Sequence, residues 1–71
     1  MSERLDWFKL HAKDGVKYGA VSCTLYLSYL RYLVYLDYRE KGFNMEKAIF
    51  LTAREMDSSR SSLQRDIKFF Q

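Results

Sequence analysis

Serine side chains cluster near the end of the chain, after Ala53, where they are interspersed with four Lys or Arg and three acidic residues. Arginine can donate two hydrogen bonds to guanine, glutamine can pair with adenine, and serine or lysine can contact a phosphate. These residue types therefore suit recognition of duplex DNA. The candidate DNA-contacting residues are Ser59, Arg60, Ser61, Gln64, Arg65 and Lys68.

The apolar residues of the same stretch predict how those side chains are presented. Leu63, Ile67 and Phe70 recur at intervals of four and three. This spacing predicts one inward face of a helix spanning about 59–70, with the polar residues on the opposite face. Asp66 places a negative charge among the basic residues of this helix.

A second helix is predicted just before this one, and the two are separated by a polar break. Ala53 is small enough for a close crossing of helices, and Met56 is an apolar anchor. The residues at 57–59 have short, oxygen-bearing side chains, which end one helix and cap the next. Asp57 stands where a glycine commonly permits the tight turn. Residues 45–70 are thus predicted to form a helix-turn-helix whose second helix enters the major groove.

Signals for the ends of helices lie upstream of that motif. Gly42 can adopt the left-handed conformation that follows a helix, and Asn44 is a good N-cap for the next one. Ile49, Phe50 and Ala53 are expected to form the inward face of that short helix.

Between Tyr26 and Tyr38 a Tyr-Leu pair begins at every third residue. This repeat lies inside a long helix predicted over about 17–41. A repeat of three residues winds around a helix of 3.6 residues per turn, so apolar side chains surround the cylinder. Such a helix is central to a core or shared between subunits. A homodimer is predicted, with an interface formed by Tyr26, Tyr29, Leu30, Leu33 and Leu36.

Other interpretations of the tyrosine-rich helix remain. A monomer core with tyrosine hydroxyls at the surface fits the same pattern, and aromatic rings can also stack on single-stranded bases. A membrane span over Val16–Tyr38 is disfavoured because Lys17, Arg31 and Asp37 lie inside it and tyrosine belongs at membrane interfaces. No membrane association is expected.

The N-terminal residues 1–15 are predicted to form a short arm, extended or irregular, although one helical turn is an alternative. Trp7 and Phe8 would anchor it to the core. Asp14 or Gly15 is expected to precede the long helix. His11 has no second histidine or cysteine at ligand spacing, so no metal site is predicted.

Length and composition limit the remaining choices. The 71 residues form one domain, near the lower size at which a chain folds alone. A net charge of +3 favours polyanionic partners. The lone Cys23 cannot form an intramolecular disulfide, which fits a reducing, cytoplasmic setting. No nucleophile-base pair and no phosphate-binding glycine loop is present, so neither an enzyme nor a cofactor is expected.

The chain resembles the N-terminal winged-helix domain of plasmid and phage replication initiators and related small regulators. The resemblance rests on Trp7–Leu10, the Tyr- and Leu-rich helix, and the Ser-Arg-Ser-x-Leu-x-Arg-Asp-Ile pattern of Ser59–Ile67. It implies that Ser59, Arg60, Ser61, Gln64 and Arg65 face the major groove, with Lys68 near a phosphate. The sequence stops at Gln71, before any β-hairpin wing, so we expect either that the N-terminal segment takes the place of the wing or that this is a wingless version that relies on dimerisation.

Together these features predict an all-α, three-helix helix-turn-helix bundle with a short N-terminal arm. The predicted function is sequence-specific binding of double-stranded DNA by a small regulator of transcription or replication, from a phage, virus or plasmid. A homodimer would read two half-sites about one helical turn apart. The alternative is a small interaction module that binds a host or regulatory protein.

Overall fold

A computed structural model describes residues 3–19 and 21–71, and the regular structure within these ranges is entirely helical. The helices are α1 (Glu3–Lys17), α2 (Cys23–Glu40), α3 (Met45–Glu55) and α4 (Arg60–Phe70). The all-α class is therefore confirmed. The described residues form four helices, however, where the sequence predicted three and an arm.

The predicted arm is the main error, because most of it forms α1. Leu5, Phe8, Ala12 and Gly15 are buried at intervals of three, four and three, which is the period of one helix face. The adjacent aromatics Trp7 and Phe8 obscured that period, since Trp7 lies outside the core and is 44 % exposed. Residues 1–2 of the predicted arm lie outside the described residues.

The long helix also begins later than predicted, at Cys23. Ser22 is its N-cap, and the Ser22 hydroxyl accepts a hydrogen bond from the Leu25 amide at 3.0 Å. Asp14 and Gly15, predicted to precede this helix, lie inside α1. A Cβ on Gly15 would come within 2.6 Å of Val21 Cγ2, so the glycine permits the chain to fold back closely against α1.

Two other helix ends follow the predicted chemistry. Gly42 has φ 102°, and the Phe43 amide donates to the Tyr38 carbonyl at 3.3 Å, which closes α2 with a left-handed C-terminal turn. Asn44 then caps α3 by accepting a hydrogen bond from the Lys47 amide at 2.8 Å.

The core is built around α2, which packs against each of the other three helices. Tyr29, Tyr32 and Tyr35 are all buried. The ring of Phe70 stacks on Tyr32 at 5.3 Å between centroids and meets Phe8 edge-on at 5.1 Å. Aromatic rings from α1, α2 and α4 thus meet at Phe70, which is fully buried.

Helix α3 is rotated relative to the sequence prediction. Ala48, Ile49 and Thr52 are buried, whereas Phe50 is 50 % exposed. The predicted inward position of Phe50 is therefore wrong. Ala48 and Thr52 are completely buried, so small residues of α3, and not Phe50, face its neighbours.

Candidate nucleic-acid interface

Four of the six candidate DNA-contacting residues share one exposed face of α4. Ser61, Gln64, Arg65 and Lys68 are all exposed and fall within a sector of about 100° on a helix with 3.6 residues per turn. Leu63, Ile67 and Phe70 occupy the opposite side and are each at most 3 % exposed. The structure thus gives α4 one apolar face in the core and one polar face in solvent.

Ser59 has a local role at the start of α4. Its hydroxyl accepts a hydrogen bond from the Ser62 amide at 3.1 Å and donates one to the Ser62 hydroxyl at 2.9 Å. Ser59 is the N-cap of the helix, and its side-chain oxygen satisfies one of the amides that a helix start leaves free. It is exposed, but its hydroxyl is engaged within the chain.

The turn that precedes α4 is held by its own hydrogen bonds. Asp57 adopts φ 52°, the left-handed conformation, and the Ser58 amide donates to the Ala53 carbonyl at 2.9 Å. The Ser58 hydroxyl donates to the Met56 carbonyl at 3.3 Å. Asp57 therefore occupies the position that a glycine commonly takes, and the polar break was placed correctly from sequence.

Arg60 lies apart from the other four, at the edge of α4 that adjoins α3. It borders a shallow concavity formed by the first turns of the two helices and lined by Asn44, Glu46, Lys47, Phe50 and Arg60. Two cationic side chains and one carboxylate therefore meet here. The sequence alone does not indicate that Lys47 and Arg60 border the same concavity, because no periodicity relates residues on different helices.

Asp66 does not weaken the positive charge of the exposed face. It is only 6 % exposed and accepts hydrogen bonds from Arg31 of α2, at 2.6 Å from Nε and 3.4 Å from Nη2. Arg31 also donates to the Ser28 hydroxyl at 3.0 Å. The negative charge that seemed to interrupt the basic helix is thus turned inward and neutralised.

The C-terminal end of α4 is held by α1. The Arg4 guanidinium donates to the Phe69 carbonyl at 2.6 Å and lies 4.1 Å from the centroid of the Phe69 ring. A cation at the C-terminus of a helix is favourably placed for the helix dipole. Together with the Phe8–Phe70 contact, Arg4 fixes the direction of α4, a role that the predicted arm could not reveal.

A separate polar link joins α2 to α3. The Tyr38 hydroxyl donates to the Glu55 carboxylate at 2.8 Å, and this hydrogen bond is the main cause that raises the pKa of Tyr38. Lys41 pairs with Asp37 at 3.0 Å, which raises the pKa of Lys41. Both contacts are exposed, so they contribute less to stability than the Arg31–Asp66 pair.

The five α2 residues predicted to form a dimer interface are buried or half-buried within one chain. Tyr29 is 8 % exposed and packs against Phe8 and Phe70 of the same chain, so it offers little surface to a second copy. The other four are half-buried and pack against the core, namely Tyr26, Leu30, Leu33 and Leu36.

The described residues offer neither a metal site nor a membrane span. No group of three or more His, Cys, Asp or Glu side chains is arranged to hold a metal ion. Among the same residues, no helix combines the length and apolar character needed to cross a membrane.

Comparison of the chain with protein-family models, with curated protein sequences and with solved structures finds no match. The candidate interface is therefore interpreted from its own geometry and charge.

Proposed function

We propose that the protein binds double-stranded DNA sequence-specifically and acts as a small regulator of transcription or replication. The observation that carries this proposal is the charge of the exposed face of α4. Arg60, Arg65 and Lys68 are exposed, and Asp66, the single acid of this helix, is buried against Arg31. The face offered to a partner is thus cationic and rich in hydrogen-bond donors.

In the proposed complex, α3, the turn at 56–59 and α4 act as a helix-turn-helix. Along the helix axis, Gln64 and Arg65 lie between Ser61 and Lys68, and they contact base edges. Ser61 and Lys68 flank them and contact phosphates. Each residue is projected by a helix whose opposite face is locked in the core, so base contacts would be made by a rigid element.

Arg60 and Lys47 extend this surface onto α3. Their side chains border one concavity, and a phosphate strand that follows the groove would lie near both. Glu46 in the same concavity reduces the local charge to a net +1, given one carboxylate against two cations. We assign this pair to backbone positioning and the outer face of α4 to base recognition.

The test is a fluorescence anisotropy titration of a labelled random-sequence duplex at two salt concentrations. Binding that neutralises several phosphates is expected to weaken tenfold or more between about 50 and about 200 mM salt. The decisive variant is Arg60→Gln/Lys68→Gln, which removes from α4 the two charges assigned to phosphate contacts. A matched control, Lys9→Gln/Lys13→Gln, removes the same charge from exposed positions of α1.

The proposal predicts a smaller salt dependence and weaker binding for the α4 variant than for the α1 variant. Equal losses in the two would indicate non-specific attraction to a basic protein. Absence of binding at the lower salt would exclude the proposal. If duplex binding is present, selection from a random library would then identify the preferred site.

A protein-binding module is the second candidate, and one observation favours it. Phe43, Met45 and Phe50 are 39 %, 46 % and 50 % exposed and belong to α3 or the segment just before it. Several large, exposed apolar side chains within a short segment often mark a contact surface. Such a protein would show no salt-dependent affinity for duplex DNA and would tolerate loss of Arg60 and Arg65.

A further inference from the structure

Phe50 is the large apolar residue of the concavity between α3 and α4. Its side chain is 50 % exposed, whereas the buried face of α3 consists of Ala48, Ile49 and Thr52. A single exposed ring is common at protein surfaces, so its significance depends on what surrounds it.

Cationic side chains flank this ring. Lys47, Phe50 and Arg54 follow one another at intervals of three and four, lie within a sector of about 60° and are all exposed. The Lys47 ammonium lies 5.4 Å from the centroid of the Phe50 ring, and Arg60 borders the same concavity from α4. Phe50 thus has a cation on either side along α3 and a third across the concavity.

The concavity has room for more than a single anion. Its volume is about 430 Å³, within the roughly 300–1,000 Å³ of pockets that hold small organic groups. Its wall combines an apolar ring with two cations and one carboxylate. The occupant that suits such a wall is anionic and also presents C–H groups.

We propose that this concavity binds one sugar-phosphate unit of the DNA backbone, with the phosphate between Lys47 and Arg60 and the deoxyribose against the Phe50 ring. The DNA backbone alternates an anionic phosphate with a sugar whose C–H groups are apolar, so it complements both kinds of side chain at once. An apolar protein surface would bring no negative charge to the cations beside Phe50. The inference rests on the proposed DNA binding and adds to it an apolar contact whose strength does not depend on counterion release.

Glu46 opposes this contact. Among the described residues that line the concavity it is the one carboxylate, and it is exposed. A carboxylate beside a bound phosphate repels it. Loss of the Glu46 charge is therefore expected to strengthen binding.

The test is a set of titrations of the labelled duplex at several salt concentrations between about 50 and about 200 mM. Phe50→Ala is expected to weaken binding roughly three- to tenfold at each concentration, with an unchanged slope of log affinity against log salt. Lys47→Gln is expected instead to reduce the magnitude of that slope by about 0.9, the amount for one phosphate. Glu46→Gln is expected to bind more tightly than the wild type, a gain that a poorly folded variant would not show.

Two further variants test the role of the ring. Phe50→Leu keeps an apolar side chain without a ring beside Lys47, so it is expected to retain most of the affinity that Phe50→Ala loses. Met45→Ala is the matched control, because Met45 is 46 % exposed at the start of α3 and does not line the concavity. This variant is expected to bind as the wild type does.

Three results would overturn the inference while leaving duplex binding intact. Wild-type affinity in Phe50→Ala would show that the ring does not touch DNA. A reduced salt slope in Phe50→Ala would show that the ring acts only by holding Lys47. Equal losses in Phe50→Ala and Met45→Ala would show that the concavity has no special part in binding. A wild-type protein that does not bind duplex DNA would overturn the proposed function and this inference together.

Discussion

Arg31 and Asp66 lie 35 residues apart in sequence and form a side-on ion pair between α2 and α4, with 2.6 Å between Nε and the nearer carboxylate oxygen. Their side chains are 19 % and 8 % exposed. This pair fixes the rotation of α4 about its own axis, because an outward Asp66 would require Leu63, Ile67 and Phe70 to leave the core. It also leaves the exposed face of α4 without a carboxylate.

The first prediction concerns the stability of this pair. Arg31→Met leaves the Asp66 carboxylate poorly solvated and without its partner. We therefore expect the free energy of unfolding to fall by about 2–3 kcal/mol. This is toward the low end for a buried pair because Arg31 is partly exposed. Arg31→Met/Asp66→Leu removes both charges and is expected to recover most of that loss. Urea unfolding of the two single variants and the double variant measures the coupling. Fully additive effects would show that the two side chains do not interact energetically.

The second prediction concerns the left-handed turn before α4. Asp57 has φ 52°, which is unfavourable for a residue with a side chain, so Asp57→Gly is expected to stabilise the fold by about 0.5–1 kcal/mol. The reciprocal change is Gly42→Asp, at the equivalent position after α2. With φ 102° and no atom within 4 Å of an added Cβ, its cost would come from the backbone alone. Thermal unfolding is expected to shift upward for the first variant and downward for the second.

The third prediction separates base contacts from phosphate contacts on α4. Arg65→Ala is expected to cost about 1–3 kcal/mol on the preferred DNA site and much less on random duplex. Lys68→Ala is expected to weaken binding similarly on both. Arg39→Ala, an exposed arginine near the end of α2, is the control. If Arg65→Ala reduces affinity equally on every sequence, Arg65 contacts phosphate and the base-reading residue lies elsewhere.

The fourth prediction concerns Thr52, whose hydroxyl is completely buried and finds no hydrogen-bond partner among the described residues. Removal of an unsatisfied buried hydroxyl is favourable. Thr52→Val is therefore expected to raise the free energy of unfolding by about 1 kcal/mol. Chemical denaturation measures the change. A loss of stability would indicate that the hydroxyl has a partner in solution.

The fifth prediction concerns alkaline pH. Burial, followed by neighbouring tyrosines, raises the pKa of Tyr29 and Tyr32 above the ordinary value of 10.0. The unfolded chain therefore releases these protons at a lower pH than the folded protein does. The stability they contribute is complete below about pH 10 and is lost as the pH rises through their folded pKa values. Urea unfolding at about pH 8 and about pH 11 is expected to show this loss, and Tyr32→Phe is expected to reduce it.

Local signals in the sequence determined the boundaries and faces around the candidate interface. The polar residues at 57–59 marked the turn, and Gly42 and Asn44 marked the preceding helix ends. The spacing of Leu63 and Ile67 showed which residues share the apolar face of α4. These features depend on side-chain chemistry within a few residues of the backbone groups they satisfy. A single sequence is sufficient to identify them.

The tertiary structure decided the features that depend on contacts between distant segments. α1 was missed because the adjacent aromatics Trp7 and Phe8 obscured its apolar period, and its role became evident only through the contacts of Arg4 with Phe69. The inward direction of Asp66 required Arg31 from another helix, and the tyrosines of α2 became core residues because Phe70 packs among them. Helical periodicity specifies which residues share a face, whereas the energy of packing selects which face is buried.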